Sequence, residues 1–341
     1  MVAKPKRRVL YIQAGTGNAF LRELGKISPN HAKTAIGQTC AALVVIENSR
    51  RHGDRIVAVL VFDTGAGITD CLIDFGISKI THLLLSHNHP DHWLSDLDRL
   101  VQTHLRSNGR ETADGDPIRI PFYCTEPTWS AGPGKLLDYL PLSPTYVTPG
   151  VGFRPGTYSA AGVSDGDGFG IDLSITPVRV YHGNRSIVPD PVVWVVEFGS
   201  AGARSKLVLC WDLLHLVPRY SGEDADELFT GPVFDSDVTE LQPEHRILFK
   251  PDYLIIAGNT FYPAPATGHT CIEKILSFYV PALRPKVATL VSHVSCAEDP
   301  MGPVSDFQLQ MMIDDAKLDF GLGAGDRILL AQPRMCLSFP A

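Results

Sequence analysis

Short runs of branched apolar residues recur along the chain, separated by connections rich in glycine, proline and charge. Runs of this length are typical of buried strands rather than helices. They predict strands at 9–13, 41–47, 56–62, 80–85, 118–123, 171–180, 192–198, 206–210, 253–257 and 287–292. The charged connection at 48–55 indicates that the second and third of these strands form a hairpin.

Helical periodicity is confined to a few segments. The spacing of Trp93, Leu97, Leu100 and His104 places these residues on one face of a predicted helix. Shorter helices are predicted at 71–75, around 135–139 and at 271–279. Residues 141–170 are rich in Pro, Gly and Ser, which favours loops or edge hairpins. Because strands and helices are interspersed along the chain, the pattern predicts an α/β protein.

Length and composition favour one globular domain. The chain has 341 residues, of which 44% are hydrophobic and 20% are charged, so it can build a substantial core. It contains no internal repeat at a fixed period and no clear linker. We therefore predict a single domain over 1–341, with a loop or hairpin insertion around 105–170.

The cysteines and the apolar segments bear on the compartment. The seven cysteines are odd in number and include no CxxC pair, which is not the pattern of a disulfide framework. No stretch approaches the roughly 20 apolar residues that a membrane span requires. The basic N-terminus leads into a predicted strand rather than the apolar core of a signal peptide. We expect a cytoplasmic protein that does not contact a membrane.

The densest chemistry lies in the six residues His87-Asn88-His89-Pro90-Asp91-His92, directly after a predicted buried strand. Metal ligation needs lone pairs that converge from several directions, at about 2.0–2.2 Å for Zn. Alternate residues His87 and His89 can face one ion, while Asp91 and His92 turn to a second. This cluster therefore predicts a metal site rather than a solvated loop. Isolated histidines are expected to be ordinary structural residues: His31, His52, His82, His104 and His245.

The six-residue cluster resembles the HxHxDH signature of the metallo-β-lactamase superfamily, and the resemblance extends along most of the chain in the family's order. Asp63-Thr64-Gly65 matches the strand end that braces the signature. The later ligand motifs are matched by His182, Asp212 and His293, at successive spacings of 90, 30 and 81 residues from His92. The resemblance implies a four-layer αββα sandwich, in which two mixed β-sheets are flanked by helices.

The resemblance also implies a set of ligands for two divalent metal ions, with Zn favoured and Mn or Fe left open. One ion would be bound by His87, His89 and His182. The other would be bound by Asp91, His92 and His293, with Asp212 bridging the two. The chain departs from the family where Cys210-Trp211 replace the usual small residue and glycine before the bridging aspartate, so the local loop is expected to differ in shape.

Several residues indicate a branch of the superfamily. Asp212 at the bridging position differs from the thiolate of many antibiotic-hydrolysing members, and Asn88 differs from the carboxylate ligand of the di-iron branch. The turn at 15–18 and the segment at 268–273 resemble the phosphodiesterase branch, which includes ribonuclease Z and the cyclic phosphodiesterases. In that branch a histidine at the position of His269 assists the leaving group.

The resemblance assigns catalytic roles to Asp91, Asp212 and His269. The two aspartates would orient a metal-bound hydroxide, and His269 would protonate the departing alkoxide. An alternative places His269 at the surface, in a helix-capping segment where Thr270 is the cap. His215 is a weaker candidate for the same site. Asp63 would fix imidazole tautomers.

The charge balance favours a small substrate. The net charge of −7 is not typical of a surface that binds long nucleic acid. Residues 101–181 contain six Lys and Arg against eight Asp and Glu, a net charge of −2, which disfavours a tRNA-binding arm. We expect a hydrolase of a small phosphodiester, and a homodimer is left open. The alternatives are a carboxylic ester or lactone hydrolase, an iron-dependent oxidoreductase and a non-catalytic binding protein.

Overall fold

The computed structural model describes residues 6–17, 38–49, 53–111, 115, 117–137, 139–159, 162–164, 169, 171–182, 188–200, 202–213, 215–216, 243–263, 269–294 and 305–341. In chain order the strands are β1 (Lys6–Gly15), β2 (Cys40–Ser49), β3 (Gly53–Phe62), β4 (His82–Leu84), β5 (Ile120–Cys124), β6 (Leu142–Tyr146), β7 (Thr157–Ser159), β8 (Gly162–Ser164), β9 (Asp172–Tyr181), β10 (Val192–Ser200), β11 (Ala203–Cys210), β12 (His215–Leu216), β13 (Tyr253–Ala257), β14 (Ala288–Ser292), β15 (Ile328–Leu330) and β16 (Met335–Pro340).

The described helices are fewer and mostly short. In chain order they are α1 (Ile68–Asp74), α2 (Pro90–Trp93), α3 (Leu97–Asn108), α4 (Glu126–Ala131), α5 (Pro133–Leu136), α6 (Ile272–Lys274), α7 (Val280–Leu283) and α8 (Asp306–Asp319). A π-helical segment, Ile275–Tyr279, joins α6 to α7, and a 3₁₀ helix spans Pro243–Leu248. None of the described helices is long and apolar enough to span a membrane.

The strands form two seven-stranded mixed sheets. The first has the order β16-β1-β2-β3-β4-β5-β6, antiparallel from β16 to β3 and parallel from β3 to β6. The second has the order β12-β9-β10-β11-β13-β14-β15, antiparallel from β12 to β11 and parallel from β11 to β15. Strands β7 and β8 form a separate hairpin.

Alternation of side chains along the strands produces three apolar layers. In β2, Leu43 lies in the core between the sheets, while its neighbour Val44 packs on the outer face against α1 and α3. In β10, Trp194 lies between the sheets, and Val195 packs on the other outer face, where α8 also contributes Leu309. Both of these strands therefore bury their two faces, which explains their long apolar runs. The predicted four-layer αββα sandwich is confirmed.

The predicted strands and helices are found with boundaries that shift by a few residues, except that the helix predicted from Trp93 to His104 is divided. Trp93 ends α2, and Leu97 begins α3. The helix predicted around 135–139 lies at Pro133–Leu136 instead. Helix α4 just before it was not predicted, although Thr125 caps it by accepting a bond from the backbone N–H of Thr128.

Four other described strands, β6, β12, β15 and β16, and helix α8 were also not predicted. In α8, Phe307 and Leu318 are exposed while Leu309 and Ile313 are buried, so apolar residues on both faces hide the helical period. The single domain over 1–341 with an insertion around 105–170 stays a prediction. Within that range, β5 and β6 belong to the first sheet.

The parallel halves of the two sheets bring many chain segments to one edge. In the first sheet, β3 and β4 end there, followed by Asp63 and His87. In the second sheet, β11 and β14 end there, followed by Asp212 and His293. Ligands of α/β proteins commonly bind at the carboxyl ends of parallel strands.

Candidate metal centre

The six-residue cluster changes conformation midway. His87 and His89 follow β4 in a non-helical segment, and His89 has extended backbone angles (φ −64°, ψ 136°) as the N-cap of α2. Pro90 is the first residue of that helix, and Asp91 and His92 lie within it. The turn at Pro90 therefore separates two pairs of side chains, as expected from their order in the sequence.

The first group of metal-ligating atoms belongs to His87, His89, His182 and Asp212, all within 4.8 Å of one another. Nε2 of His182 lies 3.0 Å from Nδ1 of His89. Oδ2 of Asp212 lies 3.3 Å from Nε2 of His87 and 3.7 Å from Nε2 of His182. These distances suit atoms that converge on a single ion.

The second group belongs to Asp91, His92, His293 and again Asp212, with its atoms also within 4.8 Å of one another. Nε2 of His92 lies 2.6 Å from Oδ2 of Asp212 and 3.6 Å from Oδ2 of Asp91. Nε2 of His293 lies 2.7 Å from Oδ1 of Asp212. Asp212 is therefore shared by the two groups, and the structure brings all seven predicted ligands together.

The hydrogen bonding of these atoms tests whether the groups fit metal ions. Nε2 of His87, His92 and His293 and both oxygens of Asp212 are buried, and although they lie close to one another, none makes a hydrogen bond of normal geometry to a described residue. Burying an uncompensated polar group costs about 1–3 kcal/mol, so native structures rarely concentrate several of them. Imidazole nitrogens and carboxylate oxygens are the ligands that Zn and similar divalent ions prefer. The residues fit two such ions.

The charge of the site is concentrated on the shared aspartate. Burial alone would raise the pKa of Asp212, but His293, His92 and His269 hold it well below the usual value. Burial lowers the pKa of His92, yet the carboxylates around it, led by that of Asp212, raise it well above the usual value. A proton and a metal ion therefore compete for the same pair of groups.

The other two buried ligands of the first group favour the neutral form. Burial lowers the pKa of His87 and of His182 well below the usual value. A neutral imidazole has a free lone pair, which is the form that binds a metal ion.

Asp63 and Ser86 determine which ring nitrogens face the site. Oδ2 of Asp63 accepts a 2.7 Å bond from Nδ1 of His92 and a 2.7 Å bond from the hydroxyl of Ser86. Because the single hydroxyl proton of Ser86 is donated to Asp63, the Ser86 oxygen accepts the 2.9 Å hydrogen bond from Nδ1 of His87. Both rings then carry the proton on Nδ1, which leaves the Nε2 lone pairs free for metal ions.

Three residues at the site have left-handed backbone conformations. The φ angles are 55° at Asp63, 47° at Asp212 and 54° at His293, and each residue follows a strand end. This region is unfavourable for residues other than glycine, and it recurs at functional sites that the surrounding fold holds in place. Each side chain is thereby turned off the strand direction.

His269 lies inside the site. Its Nδ1 is 3.6 Å from Oδ1 of Asp212, and its ring centre lies 4.7 Å from that of His182 and 4.6 Å from that of His293. Burial lowers the pKa of His269 to about 3. The N-cap of α6 is Cys271, with no side-chain cap bond, so the capping alternative for Thr270 has no support.

The remaining candidates are distributed around the site. Thr16, in the predicted glycine turn, accepts a 3.1 Å bond through its carbonyl from the N–H of Val294, beside the last ligand. His215 pairs through its backbone with Tyr181 in the strand before His182. Residues 18 and 268 lie outside the described residues.

The described histidines that were expected to be structural lie in other parts of the fold. His82 and His104 are buried and hydrogen-bonded in the first-sheet half, and His245 lies in the 3₁₀ helix. His31 and His52 lie outside the described residues. Sequence reasoning missed Ser86, although a small hydroxyl residue between a buried strand and a ligand was a usable signal.

Comparison with known structures supports the architecture. A diphosphatase from the PhnP family is 17% identical, with a TM-score of 0.56 and 98% of each chain covered. YhfI, a metallo-β-lactamase fold protein from Bacillus subtilis, is 13% identical, with a TM-score of 0.54 over 98% of this chain and 100% of that one. Yeast PDE1 is 12% identical, with a TM-score of 0.56 over 97% and 99% of the two chains.

No family model matches the sequence, and no curated protein is significantly similar to it in sequence. The likeness to the three structures is therefore one of fold. It covers nearly the whole chain.

Proposed function

We propose that this chain, whose fold is that of the metallo-β-lactamases, is a dinuclear metal-dependent hydrolase of a small phosphodiester. The observation that carries the proposal is the sharing of Asp212 by two complete groups of ligands, with His269 beside them. A carboxylate between two such groups suits a pair of ions about 3.5–4 Å apart. Zn is the favoured metal, with Mn or Fe as alternatives.

When bound, two ions of this kind activate a water molecule near neutral pH and stabilise the charge that develops on the phosphoryl oxygens. The chain's own residues define where this happens. Asp91 and Asp212 neutralise part of the metal charge and orient the attacking water by accepting its hydrogen bonds. Asp63, through His92, keeps the ligand ring in the tautomer that the second group requires.

His269 is the proposed donor to the leaving group. Its 14% side-chain exposure places it at the opening of the site, whereas Asp212 beneath it is only 1% exposed. With the pKa lowered to about 3 by burial, the ring is neutral near pH 7 and carries one N–H. That N–H can donate a hydrogen bond to the departing oxygen and so stabilise the negative charge that develops on it.

The substrate class follows from two supporting observations. A diphosphatase is among the structures with the same fold, which favours chemistry at phosphorus over chemistry at a carbonyl carbon. The net charge of −2 over residues 101–181 favours a small substrate over a large RNA.

Metal quantification with a panel of chromogenic substrates tests the proposal. We expect about two Zn per chain, and turnover of a bis-aryl phosphodiester in preference to phosphomonoester, lactone or β-lactam. Preferential lactone turnover would instead support the ester and lactone alternative. Bound iron with oxygen consumption would support the oxidoreductase, and a chain without metal or turnover would support the binding protein.

Leaving-group dependence tests the role of His269. In His269→Ala, turnover of a phosphodiester with an alkoxide leaving group should fall by about 10²–10⁴-fold. Turnover of an ester with a nitrophenolate leaving group should fall much less, because that group departs without a proton. Equal losses on the two substrates, or none, would remove the donor assignment. Metal content serves as the control, since His269 is not among the proposed ligands.

A further inference from the structure

The first group of ligands is assembled from two different sheets. His89 follows β4 in the first sheet, and His182 follows β9 in the second, yet their ring nitrogens lie 3.0 Å apart. A metal site needs its ligands held within about 0.5 Å of the right geometry. Apolar packing between sheets is not directional, so it specifies such a distance less well than hydrogen bonds do.

Hydrogen bonds cross between the two sheets at this edge. The N–H of Val192, at the start of β10, donates to the carbonyl of Ser86 over 3.0 Å. The hydroxyl of Thr128 donates to the carbonyl of Pro189 over 3.1 Å, and the hydroxyl of Thr125 lies 3.3 Å from the carbonyl of Asp190. All three contacts reach the segment 188–192, where the described chain resumes after His182.

Thr125 and Thr128, here called the threonine pair, form a chain of hydroxyl groups. Both side chains are buried, at 2% and 0% exposure. The Thr125 hydroxyl lies 2.9 Å from that of Thr128, closer than to Asp190, so its single proton is best placed on Thr128. The Thr128 hydroxyl in turn donates to the carbonyl of Pro189, and each hydrogen bond of this chain strengthens the next. Removal of the Thr128 hydroxyl would therefore break both the bond from Thr125 and the bond to Pro189.

The segment that the threonine pair holds is attached to the end of β9. The N–H of Val180 donates to the carbonyl of Pro191 over 3.1 Å. Nε of Arg179 lies 3.1 Å from Oδ1 of Asp190, forming an ion pair. A shift of residues 188–191 would therefore move the strand end that carries His182.

We propose that the threonine pair positions His182 against His87 and His89, and so sets the affinity of the first group for its ion. The proposal rests on the metal centre of the proposed function, not on the identity of the substrate. It assigns a positioning role to two residues that contact no ligand atom of the centre in the described structure.

The test uses Thr128→Val, which keeps the shape of the side chain and removes the hydroxyl, and Thr128→Ser, which keeps the hydroxyl. Each is made in a His293→Ala background, which leaves the first group intact, and in a His87→Ala background, which disables it. Zn affinity is measured by chelator competition. Thr128→Val should weaken binding about 10-fold in the first background and leave it unchanged in the second. Thr128→Ser should restore most of the loss.

Two further variants complete the experiment. Thr145→Val, at an exposed threonine of β6, is the matched control and should leave both affinities unchanged. Thr125→Val should weaken the first group less than Thr128→Val does, and it replaces that variant if Thr128→Val does not fold. The absorption spectrum of the Co²⁺-loaded first group should shift in Thr128→Val and return in Thr128→Ser.

The outcomes separate this proposal from the proposed function. A wild-type chain that binds no metal would overturn both. A wild-type chain with two ions, together with unchanged affinity and an unchanged Co²⁺ spectrum in Thr128→Val, would overturn only the role of the threonine pair. An equal loss in the two backgrounds, or a Thr128→Ser variant as weak as Thr128→Val, would also overturn it.

Discussion

At the scale of single residues, Asp63 affects the metal centre through another side chain. Its carboxylate accepts bonds from His92 and from both the N–H and the hydroxyl of Ser86. Burial raises the pKa of Asp63, and the neighbouring His92 opposes that rise. All of its hydrogen-bond partners are donors, so the geometry is that of an ionised carboxylate.

Asp63→Asn should therefore weaken the second group of ligands. An amide can accept from one donor, but its NH₂ group would face the N–H or hydroxyl of Ser86, and His92 would lose its fixed orientation. We expect about 10–100-fold weaker Zn binding at the second group, measured by chelator competition in a His87→Ala background. Asp54→Asn, at an exposed aspartate paired with Arg8, should have no such effect. Equal affinities in the two variants would contradict the assignment.

His82 is a buried histidine whose role is structural. Its Nε2 is hydrogen-bonded to the carbonyl of Gly156 over 2.9 Å, and its Nδ1 faces the hydroxyl of Thr81 over 2.8 Å. Burial lowers the pKa of His82 from 6.5 to about 4, while the bond to Gly156 opposes the shift. Between these two values the unfolded chain binds a proton that the folded chain does not.

The stability that His82 contributes should therefore be complete above about pH 6.5 and fall as the pH drops toward 4. The full loss is about 3 kcal/mol. His82→Gln should lower stability near pH 7 but flatten the decline across this window. Urea unfolding of the metal-free wild type and variant between pH 4.5 and 7.5 measures the difference in their free energies of unfolding. The contributions of the other histidines are common to both proteins and cancel in this difference. Parallel pH profiles would show that His82 is not the group responsible.

At single residues, the sequence was informative where a motif was present. The resemblance located all seven proposed ligands, and the structure brings their atoms together. It could not reveal Ser86 or the threonine pair, because their roles depend on hydrogen bonds to residues far along the chain. Nor could it reveal the positive φ angles of Asp212 and His293, which tertiary contacts impose.

At the scale of elements, the loop from β3 to α1 holds helix α2 against the site. The N–H of Thr64 donates to the carbonyl of His92 over 2.6 Å, and its hydroxyl donates to the carbonyl of Trp93 over 3.0 Å. A Cβ atom at Gly65 would lie 2.8 Å from Cβ of Gln38 and 3.0 Å from the carbonyl oxygen of Asp91. The glycine permits this close approach of two backbones.

Gly65→Ala should displace the start of α2 and with it Asp91. We expect weaker Zn binding at the second group, by about 10-fold, and a smaller effect on the first group. Chelator competition in the two single-group backgrounds measures both. Gly325→Ala is the matched control, because no atom lies within 4 Å of a Cβ at that position. Equal weakening of the two groups by Gly65→Ala would indicate general unfolding rather than displacement of α2.

Elements were predictable where burial on both faces made strands continuously apolar, as in β2 and β14. They were not predictable where the apolar residues of one segment lie partly in the core and partly at the surface. In α8 the apolar residues divide between the core and the surface, and the helix start depends on the capping box of Ser305 and Gln308. In β16 exposed and partly buried residues alternate over a short edge strand, which gives a weak signal.

At the scale of the whole molecule, the site exists because two parallel half-sheets end at the same edge. Ligands separated by 90, 30 and 81 residues in sequence meet there. The family resemblance predicted this meeting from the order of the motifs, and in the structure parallel strands present their carboxyl ends together. The distance between the sheets depends on packing across the whole interior core, which no local pattern encodes.

Metal binding should therefore stabilise the entire fold. The site buries several polar atoms that make no hydrogen bond of normal geometry to a described residue, and bound ions would satisfy them. A ligand that binds only the folded chain adds about 4 kcal/mol for each site at a free concentration of 1,000 times its dissociation constant. Urea unfolding at buffered free Zn concentrations measures this gain.

Asp212→Asn distinguishes a shared centre from two independent sites. Because Asp212 belongs to both groups, its replacement should reduce the Zn-dependent gain in stability at both, whereas His293→Ala should reduce the gain at one. Asp212→Asn also removes a buried charge, which changes the stability of the protein without metal. The Zn-dependent gain of this variant is therefore measured relative to its own stability without Zn. If Asp212→Asn kept half of the wild-type gain, as His293→Ala should, the aspartate would serve one ion only. Loss of nearly the whole gain would establish that one carboxylate from the second sheet couples both ions to the fold.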